Sequence, residues 1–378
     1  MPSIRQAYRR RCMCYKLAIA NLGCLPTHRR VISDKAMAHA FAMMLVTGAA
    51  VVLAGILLGW SADRIANATG LGEMWTGWVL LAGATSLPEF VTDTSAVKIH
   101  AANLAGGDLF GSSLTNMAIL AVLALSFASG EAQLGDGNPS THPGELQNSS
   151  DLFNAGLAIV LTILCAMFIL LHTNIGSRGL RPESLSLLLI WIAGTRILYK
   201  RQQSHSNAAD AAAISGPKQL TDRSSVYWPI FIFAGGSAII FLVAPAFANC
   251  ARQFAAVSGW GDSFVGTWLL GFSTALPEFV TSITACRLGA FDLAVANLYG
   301  SCAFNMVVFF MMDLVSPRPV FTLLDPVLAL SGALAVVLML LGVAAVALRR
   351  HLVFAPTLRG GVLLASYGVA IWIIYAFR

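Results

Sequence analysis

The sequence predicts an all-α polytopic membrane protein with about ten transmembrane helices in two inverted five-helix repeats. Three observations predict it: an apolar composition, ten runs of spanning character, and a polar motif that occurs twice. Of 378 residues, 57% are hydrophobic and 11% charged, whereas soluble domains carry about 25% charged residues. Crossing a hydrocarbon core of roughly 30 Å takes about 20 apolar residues as helix.

Runs of that kind lie near Ala38 to Gly59, Trp75 to Val97, Leu104 to Ala128, Leu152 to Leu171 and Leu185 to Tyr199 in the first half. The second half has Tyr227 to Ala248, Phe264 to Cys286, Leu293 to Val315, Thr322 to Leu348 and Val362 to Phe377. The fifth run is short and carries Arg196 near its end.

The predicted organisation is a basic extension over 1–36, a first five-helix repeat over 37–199, a linker over 200–225 and a second repeat over 226–378. The linker is polar and rich in Ser, Ala, Gln and Asn, the composition of a solvated connection. The extension, with Arg9, Arg10 and Arg11, reads as a targeting segment, a basic arm on lipid head groups, or upstream sequence with Met37 as the start; we prefer the last. It supplies much of the net charge of +6, so that charge is poor evidence for nucleic acid. The seven cysteines show no disulfide framework or zinc spacing, and Cys165, Cys250, Cys286 and Cys302 read as small apolar residues of helices.

The motif is LPEFVT, at 87–92 and again at 276–281. A shift of 189 residues aligns Gly77–Met117 with Gly266–Met306 without a gap, with 19 identities in 41 positions that include Thr, Pro, Glu, Gly, Ser and Asn in register. Five helices per repeat is an odd number, so the second repeat enters the bilayer the opposite way up. Such inverted repeats place binding sites near the midplane, where interrupted helices meet.

Polar residues follow helical spacing in these segments. Thr85, Glu89 and Asp93 are four apart, as are Asp108, Ser112 and Asn116; the second repeat gives Thr274, Glu278 and Ser282, then Asn297, Ser301 and Asn305. Residues at i and i+4 share a helix face, so four oxygen-bearing stripes can converge. Pro88 and Pro277 are expected to free carbonyls around Ala84 and Ser273, which is tolerated where backbone lines a cavity. The set is hard and oxygen-only, with two formal negative charges from Glu89 and Glu278, suited to calcium or to sodium ions in its place. Gly111 and Gly300 are read as allowing close helix packing.

GATSLPEFVTD with GGDLFGSSLTN, and GFSTALPEFVT with VANLYGSCAFN, resemble the two alpha repeats of the sodium/calcium exchanger (cation/calcium antiporter) superfamily. The likeness covers both hairpins closely and the ten-helix layout generally. It implies a sodium/calcium exchanger-like fold and a secondary active antiporter, exchanging calcium or a similar cation for sodium or protons by alternating access, without a cofactor and not an enzyme. It further implies Glu89 and Glu278 as central ligands, joined by Thr85, Ser86, Ser112, Thr274 and Ser301, by backbone oxygens at Ala82 and Gly271, and by Asn116 and Asn305. The partners implied are inorganic cations and the lipid bilayer, in a prokaryotic cytoplasmic membrane with the central linker inside. Arg196, Lys200 and Arg359 agree with that orientation, whereas Arg178 and Arg181 run against it.

The chain departs from the family pattern at Ala275, where a serine is frequent, at Asn305, where sodium-coupled members often carry aspartate, and at Asp93 and Asp108, where Ser and Asn are usual. A proton-coupled exchanger therefore stands as the alternative, with a cation channel behind it. Asp93 and Asp108 flank the first hairpin turn by similar lengths, so they are expected to face each other as a vestibule pair. Two such carboxylates repel unless they share a proton or hold a cation.

Overall fold

The computed structural model describes residues 28–69, 83–127, 149–171, 181–212, 227–287, 291–347 and 356–377, and every regular element among them is helical. In chain order they are α1 (His28–Thr69), α2 (Leu87–Lys98), α3 (Ala102–Phe127), α4 (Ser149–Leu171) and α5 (Pro182–Ala212). The second half gives α6 (Tyr227–Ser258), α7 (Asp262–Arg287), α8 (Phe291–Val315), α9 (Pro326–Ala347) and α10 (Pro356–Ala376). Eight have the length and apolarity to cross a bilayer. The other two are α2, twelve residues long, and α5, whose apolar part is short.

Two limits differ from expectation. Helix α5 runs on to Ala212, through the first half of the predicted linker, because 200–212 holds Gln, Ala and Lys and no Gly or Pro to stop it. Helix α1 starts at His28, so the last part of the basic extension is helical; residues 1–27, and 213–226 of the linker, lie outside the described residues.

The packing has a pseudo-two-fold pattern. Helix α3 lies against α9 and α10, and its counterpart α8 lies against α4 and α5. Likewise α2 packs on α6 and α7 on α1, while α1 with α6, α3 with α8 and α4 with α9 meet across the axis. The halves are therefore interleaved, not side by side. In α3 and α8, 78% and 72% of the apolar window is buried, against 22% in α6 and α10, so α3 and α8 form the inner pair.

Polar ties show which ends share a face. At the first hairpin turn, the Arg252 guanidinium at the end of α6 donates to the Ile99 carbonyl. Asn103 exchanges two hydrogen bonds with Asp325 before α9, at 2.7 and 2.8 Å, and Ser263 at the start of α7 donates to the same Asp325 at 3.3 Å. Thus α2 ends where α7 begins: the repeated helices run antiparallel, as an inverted repeat requires. We call this face the first-hairpin end and the other the linker end. Arg181, before α5, donates to the Asp313 carboxylate at 2.8 Å, to the Asp313 carbonyl and to the Ser316 carbonyl at 2.9 Å. Its charge has a structural use, which accounts for a basic residue on a face that the charge pattern left unexplained.

Candidate cation site

Each LPEFVT segment starts a helix. The chain bends at Ser86 (φ −89°, ψ 7°) and at Ala275 (φ −79°, ψ −1°), and each proline then stands in the first turn of the helix that follows. There it loses no hydrogen bond, since first-turn amides have no partner within the helix. The expected mid-helix disruption is therefore a break one residue upstream of each LPE, followed by a fresh helix. Gly55 of α1 lies against both prolines: a Cβ there would come 2.6 Å from Pro277 Cγ and 3.1 Å from Pro88 Cγ. The two breaks consequently sit at one level.

A second device brings the opposite pair together. Helix α7 carries a π-turn over Gly266–Leu270, a local widening that often marks functional positions. Gly266 and Gly271 press directly on α3, where a Cβ on Gly111 would fall 2.1 Å from the Thr267 carbonyl oxygen and one on Gly271 2.5 Å from the Gly111 carbonyl carbon. The packing role read for Gly111 is borne out, as a backbone-to-backbone contact that only glycine permits.

The predicted stripes converge. Glu89 and Glu278 are fully buried and lie within electrostatic reach of each other, as Asp108 does of Glu89. Glu278 Oε1 accepts from Ser301 Oγ at 3.3 Å and Ser86 Oγ at 3.4 Å, the two hydroxyls being 3.5 Å apart, with Thr85 beside the same carboxylate. On the Glu89 side, Ser112 Oγ and Thr274 Oγ1 are 3.0 Å apart, and Ser112 points to the Gly271 carbonyl at 3.4 Å. Thr274 donates to Asp108 Oδ1 at 2.8 Å and lies 3.0 Å from the Leu270 carbonyl. It also borders Glu89, and neither Glu89 oxygen has a hydrogen-bond partner among the described residues.

The remaining predictions divide. Asn116 and Asn305 are both fully buried; Asn116 turns its amide nitrogen to Cys302 Sγ at 3.7 Å and leaves its oxygen unpartnered, and both polar atoms of Asn305 are unpartnered. Ala82 lies outside the described residues. Cys302 is a buried core residue, as read, and its Sγ also lies 3.7 Å from Asn116 Nδ2 and 3.8 Å from the Ser113 carbonyl across the α3–α8 contact. Lys98 and Arg287 are exposed, at the last positions of α2 and α7. No three His, Cys, Asp or Glu side chains close around one point among the described residues. An ion held here must draw on two carboxylates, with hydroxyl, amide and carbonyl oxygens completing its shell.

A cleft of about 180 Å³ enters from the linker end between α1, α7 and α8, past Gly59, Trp60, Thr281 and Asn297. Its lining includes Ser282, one turn from Glu278.

Ten helices in interleaved, antiparallel halves, meeting at breaks that carry one buried carboxylate each, define an integral membrane protein of the secondary-transporter class. The chain belongs to the sodium/calcium exchanger protein family, whose pattern matches residues 39–200 and 228–376. It is 25% identical over 277 residues to the inner membrane protein YrbG of Escherichia coli, covering 70% of this chain and 78% of that one. To the putative antiporter CaxA of Alkalimonas amylolytica it is 23% identical over 271 residues, 70% and 79% of the two chains. Among solved structures, native YfkE shares the fold with a TM-score of 0.59 at 16% identity, covering 88% of this chain and 92% of that one. The sodium-calcium exchanger NCX_Mj does so with 0.53 at 20% identity, covering 89% and 98%. This is a family of cation transporters, not of enzymes.

Proposed function

We propose that the protein exchanges calcium, or a similarly hard cation, for sodium or protons across a cytoplasmic membrane, by alternating access at one midplane site. The observation that carries this reading is the meeting of Glu89 and Glu278, one from each inverted half, in a fully buried pocket lined by hydroxyls. Two carboxylates balance one divalent ion, two monovalent ions or two protons. Empty and ionised, they would cost at least several kcal/mol at the midplane, so the site crosses only when filled. That obligation is what makes an exchanger rather than a leak.

Ser86 and Ser301 orient Glu278, Thr85 and Thr274 flank the two acids, and Ser112 with the Gly271 carbonyl and the Asn116 and Asn305 oxygens completes the ligand set. The cleft at the linker end is the entry for one half of the cycle, and that end faces the cytoplasm. Ala275 removes one hydroxyl and Asn305 one charge from the set a sodium-coupled exchanger would use, which favours protons as the counter-ion.

Calcium uptake into proteoliposomes under imposed sodium, potassium or proton gradients tests the reading. The expected result is uptake driven by a counter-gradient and reduced more than about 100-fold by Glu89→Gln or Glu278→Gln, since losing even an outer partner of a ligand costs about 10- to 100-fold. Uptake that needs no counter-ion would make the protein a channel; uptake unchanged in both variants would remove the site.

A further inference from the structure

The two hairpins differ just beyond their glutamates, and the pseudo-two-fold makes the difference readable. In the second hairpin, Asn297 Nδ2 donates to Thr281 Oγ1 and to Ser282 Oγ, both at 3.2 Å, closing α8 onto α7 with neutral hydrogen bonds. The repeat puts Asp108 where Asn297 stands, Thr92 at Thr281 and Asp93 at Ser282. An aspartate has no amide proton to give. Asp93 faces Asp108, and both Asp93 oxygens, Asp108 Oδ2 and Thr92 Oγ1 are buried without a hydrogen-bond partner. All three side chains are fully enclosed, and no basic group among the described residues reaches them: Lys98 is exposed, and Arg252 is turned to the Ile99 carbonyl.

Enclosed carboxylates without donors or a counter-charge are too costly to leave ionised and unmatched, so this pair must share a proton or hold a cation. We propose that Thr92, Asp93 and Asp108 form a second cation site, distinct from the Glu89–Glu278 site, on its first-hairpin side. Two carboxylates and a hydroxyl, with no sulfur or imidazole, select a hard divalent ion of the calcium class. The ion does the work that the Asn297 amide does in the other hairpin: it joins α2 to α3 and seals the first-hairpin end. Thr274 connects the two sites, because its hydroxyl donates to Asp108 while it borders Glu89. An ion leaving the midplane toward this end would pass through the second site. Its use in transport rests on the antiporter reading; its existence does not.

Equilibrium binding of radioactive calcium to purified full-length protein in lipid nanodiscs tests this. The variant Asp93→Ser with Asp108→Asn copies the second hairpin, and Asn keeps the oxygen that accepts from Thr274. The wild type is expected to bind about two calcium ions per chain, this double variant one, and Glu278→Gln one, with the double variant retaining the ion that Glu278→Gln loses. Manganese in place of calcium adds a distance: paired Mn(II) should show dipolar broadening in its electron paramagnetic resonance spectrum, absent in the double variant. One ion in both wild type and double variant, with none in Glu278→Gln, overturns the second site and leaves the central one. Two ions in Glu278→Gln overturns the central site alone.

Discussion

The hairpins α2–α3 and α7–α8 carry the same hexapeptide and arrive at different electrostatics. In the second, neutral donors reach one carboxylate oxygen and the hydroxyls beyond it: Ser86 and Ser301 on Glu278 Oε1, then Asn297 on Thr281 and Ser282. Around the first glutamate, Ala275 stands where Ser86 supplies a hydroxyl to Glu278, Thr274 donates to Asp108, and neither Glu89 oxygen has a hydrogen-bond partner among the described residues. The difference comes from three positions at which the repeats diverge: Ser86 against Ala275, Asp93 against Ser282 and Asp108 against Asn297. It teaches that an inverted repeat need not produce even electrostatics: the backbone frame is shared, and the walls beyond the glutamates are neutral at one end and acidic at the other. The described residues are asymmetric in the same sense: Thr281 and Asn297 line a cleft, whereas their counterparts Thr92 and Asp108 are fully buried.

The largest effect is expected where the halves touch through backbone. Gly111→Ala would drive a methyl group against the Thr267 carbonyl, which no rotamer relieves, so α3 and α7 must separate at the site. Overpacking of this kind costs about 1 to 3 kcal/mol or more. Gly156 on α4 has open space around it, and Gly156→Ala should be neutral or slightly stabilising. Thermal unfolding in detergent separates the two: a large drop in Tm for Gly111→Ala and almost none for Gly156→Ala. Equal behaviour would mean that α3 and α7 do not meet on glycine.

How far the sequence showed these things depends on whether neighbours were set by period or by contact. The repeat and the i, i+4 spacing disclosed the four stripes, both glutamates and the facing of Asp93 on Asp108, because helical period fixes a face without reference to a partner. The odd helix number disclosed the inversion. The π-turn at Gly266–Leu270 was hidden, since GTWLL is an ordinary apolar string whose widening answers the close approach of α3. The Arg181–Asp313 tie joins residues 132 apart that share no pattern, and Gly55 reveals its place between two prolines only once α1 is packed. The proline breaks were visible as breaks but misjudged in kind, because a proline in a first turn and one in mid-helix look alike without knowing where the helix restarts.

A smaller effect is expected from exchanging the one hydroxyl that distinguishes the glutamates. Ala275→Ser should give Glu89 the donor that Ser86 gives Glu278, and Ser86→Ala should take that donor away. A hydrogen bond to a charged group contributes about 1.5 to 3 kcal/mol, so each change should move apparent cation affinity on the order of tenfold. The hydroxyl also adds an oxygen ligand, so Ala275→Ser should strengthen sodium dependence of uptake, and Ser86→Ala should weaken whatever sodium dependence exists. Uptake titrated against sodium at fixed calcium measures both. If neither variant shifts the curve, the difference between the two glutamates has no bearing on ion choice.

The smallest effect is expected at Asn297. Asn297→Asp removes the amide that reaches both Thr281 and Ser282, but those hydroxyls can turn and donate to the new carboxylate, and Thr281 already lies 3.0 Å from the Glu278 carbonyl. The net cost should be about 1 kcal/mol in stability. What the change adds is charge on the wall of the open cleft, 5% exposed at this position, where an incoming cation is first desolvated. Uptake measured from the linker side should therefore gain modestly at low calcium and lose that gain in high salt, as a screened attraction does. A gain that survives high salt would point instead to direct ligation by the introduced carboxylate, and so to a second hairpin as able to hold an ion as the first.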